Sequence, residues 1–444
     1  MSAVVVPPIL MSLILIGCHA AIRNQRPDLL ITALLGINLV YLASAFLLLR
    51  RPASPTLVVA IAISLRLIAW TLPPALSDDL YRYRWEGKLQ AAGGEVYQAR
   101  PDDARWSGLR DETYAKVVGH DRKAGYGPVL SLLELAWFKV VSLATPNPVT
   151  QTFWFKLPFA IAELGILAAS YRLLGKQRFP LYAFLPLPLV EVWWNGHNDA
   201  VPVLAVVVAV LLLRQEKPAW SAVSLGVGIA AKWWPAILIP AFLSATPRKN
   251  RLSFALLAMV PLAATSLHYL GNVDENLRFM TGFVGGWRNN DSLHGLLLAI
   301  AGTPSGAKKL AFALAGVAAV FFALRQWRLE AKILATLTAL LLVSSNCHPW
   351  YLLWLAPFVP LFPLLPFLLA FAIMPFAYRV LIEWHILGVW NGSTPDRWLI
   401  WGPVFALAGA ELLRTLKFAD RWKRVTGMTR WIRYPKVSTD GPAR

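Results

Sequence analysis

Apolar runs of about twenty residues, separated by short basic loops, recur from one end of the chain to the other. Residues about 4–22, 29–49 and 55–75 read as three successive helices, each long enough to cross roughly 30 Å of hydrocarbon. Further spans are expected near 151–173, 180–194, 199–213, 252–270, 306–324, 332–346, 350–361, 364–379 and 398–416. Two stretches fit the pattern poorly. Segment 128–143 is short and carries Glu134 and Lys139, so it is expected to re-enter or lie in the interface. Segment 218–245 is broken by Lys232-Trp233-Trp234-Pro235, and basic residues flank it on both sides: Arg214 and Lys217 before, Arg248, Lys249 and Arg251 after. Two short helices meeting at Lys232 keep both flanks on one side. Irregular backbone at that depth needs protein or a water-filled cavity around it, so Lys232 is expected to point into a cavity.

The pattern predicts an all-α, polytopic membrane protein, a bundle of about 12–14 transmembrane or partly re-entrant helices forming one unit over 1–416. Basic loops place Arg50, Arg51, Arg214, Arg248, Arg325 and Arg328 in the cytoplasm. The tail 417–444 is expected there too, as a basic extension. Two larger loops then face outward, 76–127 and 271–305. The first holds nine acidic and nine basic residues, over a third of all carboxylates in the chain, as suits a translocated surface.

Composition agrees. Of 444 residues, 57% are hydrophobic and 15% charged, with a mean hydropathy of +0.52. The net charge of +19 does not indicate nucleic acid, because the bases sit in loops and tail as membrane topology requires. Two cysteines, Cys18 and Cys347, offer no disulfide framework and no metal motif.

Every polar cluster that interrupts the apolar pattern falls on the outer side of this topology, which points to one cavity open there. The first cluster is Ser77-Asp78-Asp79-Leu80-Tyr81-Arg82-Tyr83-Arg84-Trp85-Glu86-Gly87, directly after a span. As a helix it has Ser77 as N-cap and Asp79, Arg82, Tyr83 and Glu86 on one face. Part of this is ordinary helix chemistry, since early acids complement the macrodipole and i,i+4 charge pairs are common on surfaces. The others are Gly125-Tyr126-Gly127-Pro128, Asn195-Gly196-His197-Asn198-Asp199, Lys232, Arg288-Asn289-Asn290-Asp291 and Asn346-Cys347-His348-Pro349-Trp350-Tyr351. Turns favour Asn and Asp, and His348 before Pro349 fits a helix start. Glu163, alone inside an apolar run, is either functional or paired.

The order Asp78-Asp79-x-Tyr81-Arg82-Tyr83-x-Trp85-x-Gly87, Tyr126-Gly127-Pro128, Asn195-Gly196-His197-Asn198-Asp199, Lys232-Trp233-Trp234-Pro235 and His348-Pro349-Trp350-Tyr351 resembles bacterial GT-C-fold glycosyltransferases. The likeness is greatest to integral-membrane mannosyltransferases that use polyprenyl-phosphate sugars, and it covers residues from about 55 to 380. It implies a bacterial inner-membrane enzyme that moves a hexose, mannose by the likeness, from a polyprenyl-phosphate donor. The acceptor is a glycan or glycolipid on the outer, periplasmic face. The base is a carboxylate of the first outer loop, with Asp79 carrying the role and Asp78 in reserve. Two positions depart from the pattern: Glu163 where Asp is expected, and Gly127 in place of a proline.

The chemistry follows from the donor. A sugar phosphodiester already has a good leaving group, so one base for the acceptor hydroxyl suffices, and cations must hold the departing phosphate. Lys232, Arg82 and Arg288 are the candidate cations. Tyr83, Tyr126, Asn195, His197, Asn198, Asp199 and His348 are candidates for sugar or acceptor contacts. No cofactor is required, and the paired Asp78 and Asp79 are compatible with a divalent metal. A secondary transporter would also explain a broken helix with buried charges, and a surface-polysaccharide polymerase or ligase would share the lipid-linked substrate. Neither accounts for a large charged loop so early in the chain.

Overall fold

A computed structural model describes residues 2–50, 54–272, 288–387 and 394–417. The tail 418–444 and part of the second expected outer loop, 273–287, lie outside the described residues.

The chain is almost wholly helical. Helices α1 (Ser2–Arg23), α2 (Pro27–Arg50) and α3 (Pro55–Trp70) follow the three expected spans, and proline at the first helical position starts α2 and α3. Among the described residues six helices are long and apolar enough to cross a membrane. The protein is a multi-pass membrane protein, and the all-α expectation holds.

Helix α4 (Asp79–Ala91) opens the polar segment, and α5 (Pro128–Ala144) closes it. Helices α6 (Pro148–Trp154) and α7 (Leu157–Ala183) follow, with Gly175 breaking α7 at φ 72°. The expected span 180–194 is not regular: it ends in a π-helical turn, Leu189–Trp194. Next come α8 (Ala200–Arg214) and α9 (Pro218–Ala231). The break falls at Lys232, extended at φ −143° and ψ 150°, before a 3-10 turn, Trp234–Leu238, and α10 (Ile239–Ala245). Helices α11 (Arg251–Ser266), α12 (His294–Ala301), α13 (Pro304–Ala323), α14 (Leu329–Val343), α15 (Leu365–Ile373), α16 (Val380–Leu387) and α17 (Thr394–Lys417) complete the bundle.

Cross-chain bonds sort the residues between two ends. Arg214 pairs with Glu330 and donates to the Leu173 carbonyl; Gln177 reaches the Leu49 carbonyl; Lys332 donates to Ser244. The basic loop residues therefore share one end. Both flanks of the 218–245 stretch return to it, as the charge pattern predicts. At the opposite end, Lys156 donates to the Trp70 and Leu72 carbonyls, and Trp194 to that of Pro73. Gln151 bonds both Arg84 of α4 and the Thr145 carbonyl, so α5 starts and finishes at this same end. It does not cross. The expected span at 350–361 does run between the ends, but as 3-10 turns rather than a helix, reaching Arg178 through the Leu361 carbonyl. Its backbone is covered by protein, the condition for irregular structure at that depth.

The main core packs α1, α2, α3, α7 and the 349–361 turns. Within it Glu163 meets Arg66 through two hydrogen bonds of 2.7 and 2.8 Å, with Tyr182 and Trp193 donating as well. Such a pair tolerates burial because the carboxylate accepts four hydrogen bonds and the guanidinium also donates to the Ala62 and Ala183 carbonyls, and removing one partner would cost about 3–5 kcal/mol. Of the two readings open for Glu163, the paired one is observed.

Candidate active site

The segment leading into α4 is anchored before any reacting group appears. Asn195 accepts from the amides of Ala75 and Leu76 and donates to the Val190 carbonyl, which turns its amide into a backbone clamp. Gly196 next to it has φ +75°, and a Cβ there would meet Leu80 at 2.8 Å and Lys156 at 2.9 Å. Ser77 caps the Asp79 amide at 3.2 Å, with Asp78 in the N-cap position and exposed. Helix α4 is buried on nearly every side, crossing α5 where a Cβ on Gly87 would strike the Glu134 carbonyl at 2.5 Å.

Arg82 does not face the same space as Asp79. It pairs with Glu86 at 2.5 Å and donates to the carbonyls of Val118, Gly119 and Arg122, occupying four of its five N–H donors. Its guanidinium straps the 118–122 loop to α4. Arg84 and Lys88 do the same for Asp111.

Asp79 stands at the start of α4 with 23% of its side chain exposed. Its Oδ2 receives the Tyr83 hydroxyl at 3.4 Å and lies 3.8 Å from Nδ1 of His197. Burial pushes its pKa up to about 6; Lys232 opposes the rise, and Asp199 and Asp78 add to it. A carboxylate so tuned is a stronger base than a surface aspartate. Tyr83 and Tyr126 pack edge to face at 5.4 Å, and Lys232 lies 4.9 Å above the Tyr126 ring.

Lys232 is paired with Asp199 at 2.6 Å, and the other Asp199 oxygen accepts from Trp354 at 2.8 Å. Two ring stacks wall this pair. Trp350 is sandwiched between His197 at 4.0 Å and His348 at 4.4 Å, and Trp354 between Trp234 at 4.7 Å and Tyr351 at 4.8 Å. His348 is bonded in turn to Asn289 at 2.9 Å. Arg288, beside Asn289, shares Asp291 with Arg397. Asn198 is fully buried, and neither amide atom has a hydrogen-bond partner among the described residues.

Gly127 explains itself here. Its amide donates to the Ala231 carbonyl at 2.9 Å, and a Cβ would fall 2.2 Å from the Ala230 oxygen. A proline could supply neither the N–H nor the space. The Tyr-Gly-Pro turn is thereby locked onto the helix break at Lys232.

The structure thus gathers Asp79, Tyr83, Tyr126, His197, Asn198, Asp199, Lys232 and His348 at the end opposite the basic loops. Asn195 underpins the site, Arg82 is turned away, and Arg288 stands beyond His348. Sequence reading passed over Glu191, Tyr378 and Arg397. Glu191 gave a usable signal, being a lone acid within an apolar stretch like Glu163.

A family model, described as alpha-(1->6)-mannopyranosyltransferase, N-terminal domain, matches residues 7–248, more than half the chain. The chain belongs to that family. A search of curated proteins gives no match. The matched region holds Asp79, Tyr126, the 195–199 turn and Lys232, whereas Arg288 and His348 lie beyond it. Membership in the mannopyranosyltransferase family makes the protein a glycosyltransferase that moves a hexose, and the transporter and polymerase alternatives are set aside. Among the described residues no three His, Cys, Asp or Glu side chains converge as ligands for a metal ion.

Proposed function

We propose that the protein transfers mannose from a polyprenyl-phosphate donor to a hydroxyl of a glycan or glycolipid, with Asp79 as general base. The supporting observation is Asp79 itself, a carboxylate of raised basicity beside the Lys232–Asp199 pair. The acceptor oxygen attacks C1 of the sugar as its proton passes to Asp79. The C1–oxygen bond to phosphate breaks, prenyl phosphate leaves, and the anomeric centre inverts. Lys232 spends one N–H on Asp199 and keeps two for phosphate oxygens. Arg288 supplies a second cation nearer the rim. Asp78, exposed one residue earlier, is the alternative base. The site opens on the periplasmic side of a bacterial inner membrane, because the basic loops gather at the other end.

The step balances without a metal, with Lys232 and Arg288 to hold the phosphate, and a divalent cation at Asp78 and Asp79 is the alternative. The test incubates purified protein with polyprenyl phosphates carrying mannose, glucose or galactose, with and without EDTA, and an octyl mannoside as acceptor. Release of prenyl phosphate from the mannose donor, undiminished by chelation, is expected. Turnover only with a nucleotide sugar would overturn the donor assignment, and loss of turnover in EDTA would place a cation at Asp78 and Asp79.

A further inference from the structure

His197, a candidate for sugar or acceptor contact, has no exposed surface. It stands between two carboxyl groups, with Nδ1 3.8 Å from Asp79 Oδ2 and Nε2 3.5 Å from Glu191 Oε2. Neither ring nitrogen has a hydrogen-bond partner among the described residues. The ring plane is set by the stack on Trp350. Glu191 is held from behind by the Tyr378 hydroxyl, 2.8 and 2.9 Å from its two oxygens. Beyond it lies a cavity of about 20 Å³ bounded by Asn38 and Tyr378, room for one water but not for bulk hydration.

Proton counting then restricts the arrangement. A neutral imidazole offers one donor and one acceptor. Burial, and then the Lys232 charge, disfavour the imidazolium. For both nitrogens to be hydrogen-bonded to the carboxyls that face them, one of the two carboxyls carries a proton and donates it. Glu191 is 2% exposed and Asp79 23%, so the proton resides on Glu191, where an ion would be hardest to solvate.

We propose that His197 is a positioning residue for Asp79, its tautomer fixed by a protonated Glu191 that donates to Nε2. Nδ1–H then faces Oδ2, which also receives the Tyr83 hydroxyl, and Oδ1 is left as the atom that takes the acceptor's proton. The 3.8 Å gap closes to hydrogen-bond length when substrates fill the site, as catalytic contacts commonly do. Asp78 before α4, Tyr83 on it, Tyr126, Asp199, Lys232, Tyr351 and Tyr378 also face Asp79, and all remain in place in the variants below except where named.

The inference rests on Asp79 being the base. Its test measures kcat, donor KM and the acid limb of kcat/KM with polyprenyl-phosphate mannose and octyl mannoside. His197→Phe keeps a ring against Trp350 but has no N–H. It should lower kcat by about 10- to 10²-fold with donor KM unchanged. It should also move the acid limb up by about one pH unit, because the carboxylate loses a donor. Glu191→Gln, whose amide still donates to Nε2, should stay within about threefold of wild type, whereas Glu191→Ala should fall as far as His197→Phe. Wild-type kcat and an unmoved limb in His197→Phe would overturn the inference. So would a Glu191→Gln variant as impaired as Glu191→Ala, and that pair decides the matter even if His197→Phe does not insert. Asp79→Asn is run alongside. Full turnover there removes the base itself, while an inactive Asp79→Asn beside an unaffected His197→Phe removes the positioning role alone.

Discussion

Asp79→Asn separates a catalytic carboxylate from a structural one, because the two roles change activity and stability in opposite directions. The amide keeps the shape and still accepts the Tyr83 hydroxyl, so the site should assemble. Loss of the base should lower kcat by about 10²–10⁴-fold. In the wild type the base must be ionised, so kcat/KM should hold a plateau above a pKa of about 6 and fall below it. One unit lower, about a tenth of the carboxylate remains ionised, and the rate should be about tenfold down. Stability runs the other way. The folded-state pKa lies above the ordinary 3.8, so the folded state binds the proton more tightly than the unfolded chain does. The stabilisation from protonation is complete below about 3.8 and is lost as pH rises through about 6. At neutral pH the ionised Asp79 thus costs the fold an amount of order 1–3 kcal/mol, from about 1.4 kcal/mol per pKa unit. The Asn variant should therefore be inactive yet melt higher than wild type at pH 7.5 in detergent, with the gap closing toward pH 4. An Asn variant that keeps turnover, or one that is inactive and melts lower at pH 7.5, would refute the reasoning.

Lys232→Ala should destabilise the protein by about 3–5 kcal/mol, because it leaves the fully buried Asp199 without its counter-ion. Lys232→Met combined with Asp199→Asn should restore the melting temperature but not donor affinity; recovery of both would make the pair purely structural. Gly127→Ala forces a Cβ against a backbone oxygen at 2.2 Å, so turnover should fall by about 10²-fold through displacement of the Lys232 break, and wild-type kinetics would show that the break is not rigid. A cysteine at the exposed Gly108 should be labelled only from the periplasm and a tag after Arg444 only from the cytoplasm; labelling of both from one side would invalidate the orientation.

Much of the architecture was legible because it depends on local, repetitive features. Hydropathy over about twenty residues marks a span whatever surrounds it. The break at Lys232 followed from charges on both flanks of one apolar stretch, and the structure returns Ser244 to the end that holds Arg214. The shortness of 128–143 and its two charges, Glu134 and Lys139, marked it as a segment that re-enters or lies in the interface, and helix α5 there begins and ends near the same end of the bundle. The gathering of polar clusters at one end was visible as well, since each interrupted an apolar run on the same side.

What the chain pattern alone settled is therefore the class of the protein, the course of most segments, and the end at which its polar groups meet. Which of those groups are available there was decided only by tertiary contact. Arg82 and Lys232 look alike in sequence, each a cation in a polar break. Arg82 is consumed by carbonyls 36 to 40 residues later in the chain, while Lys232 meets Asp199 and, among the described residues, keeps donors free. Glu163 and Glu191 are both lone acids in apolar runs, yet one is neutralised by an arginine 97 residues away and the other faces a histidine. Hydrophobic periodicity reports where a residue lies relative to the membrane. The state of a buried charge depends on which partner the packed bundle brings within about 4 Å, and that distance is set by helices far apart in the chain.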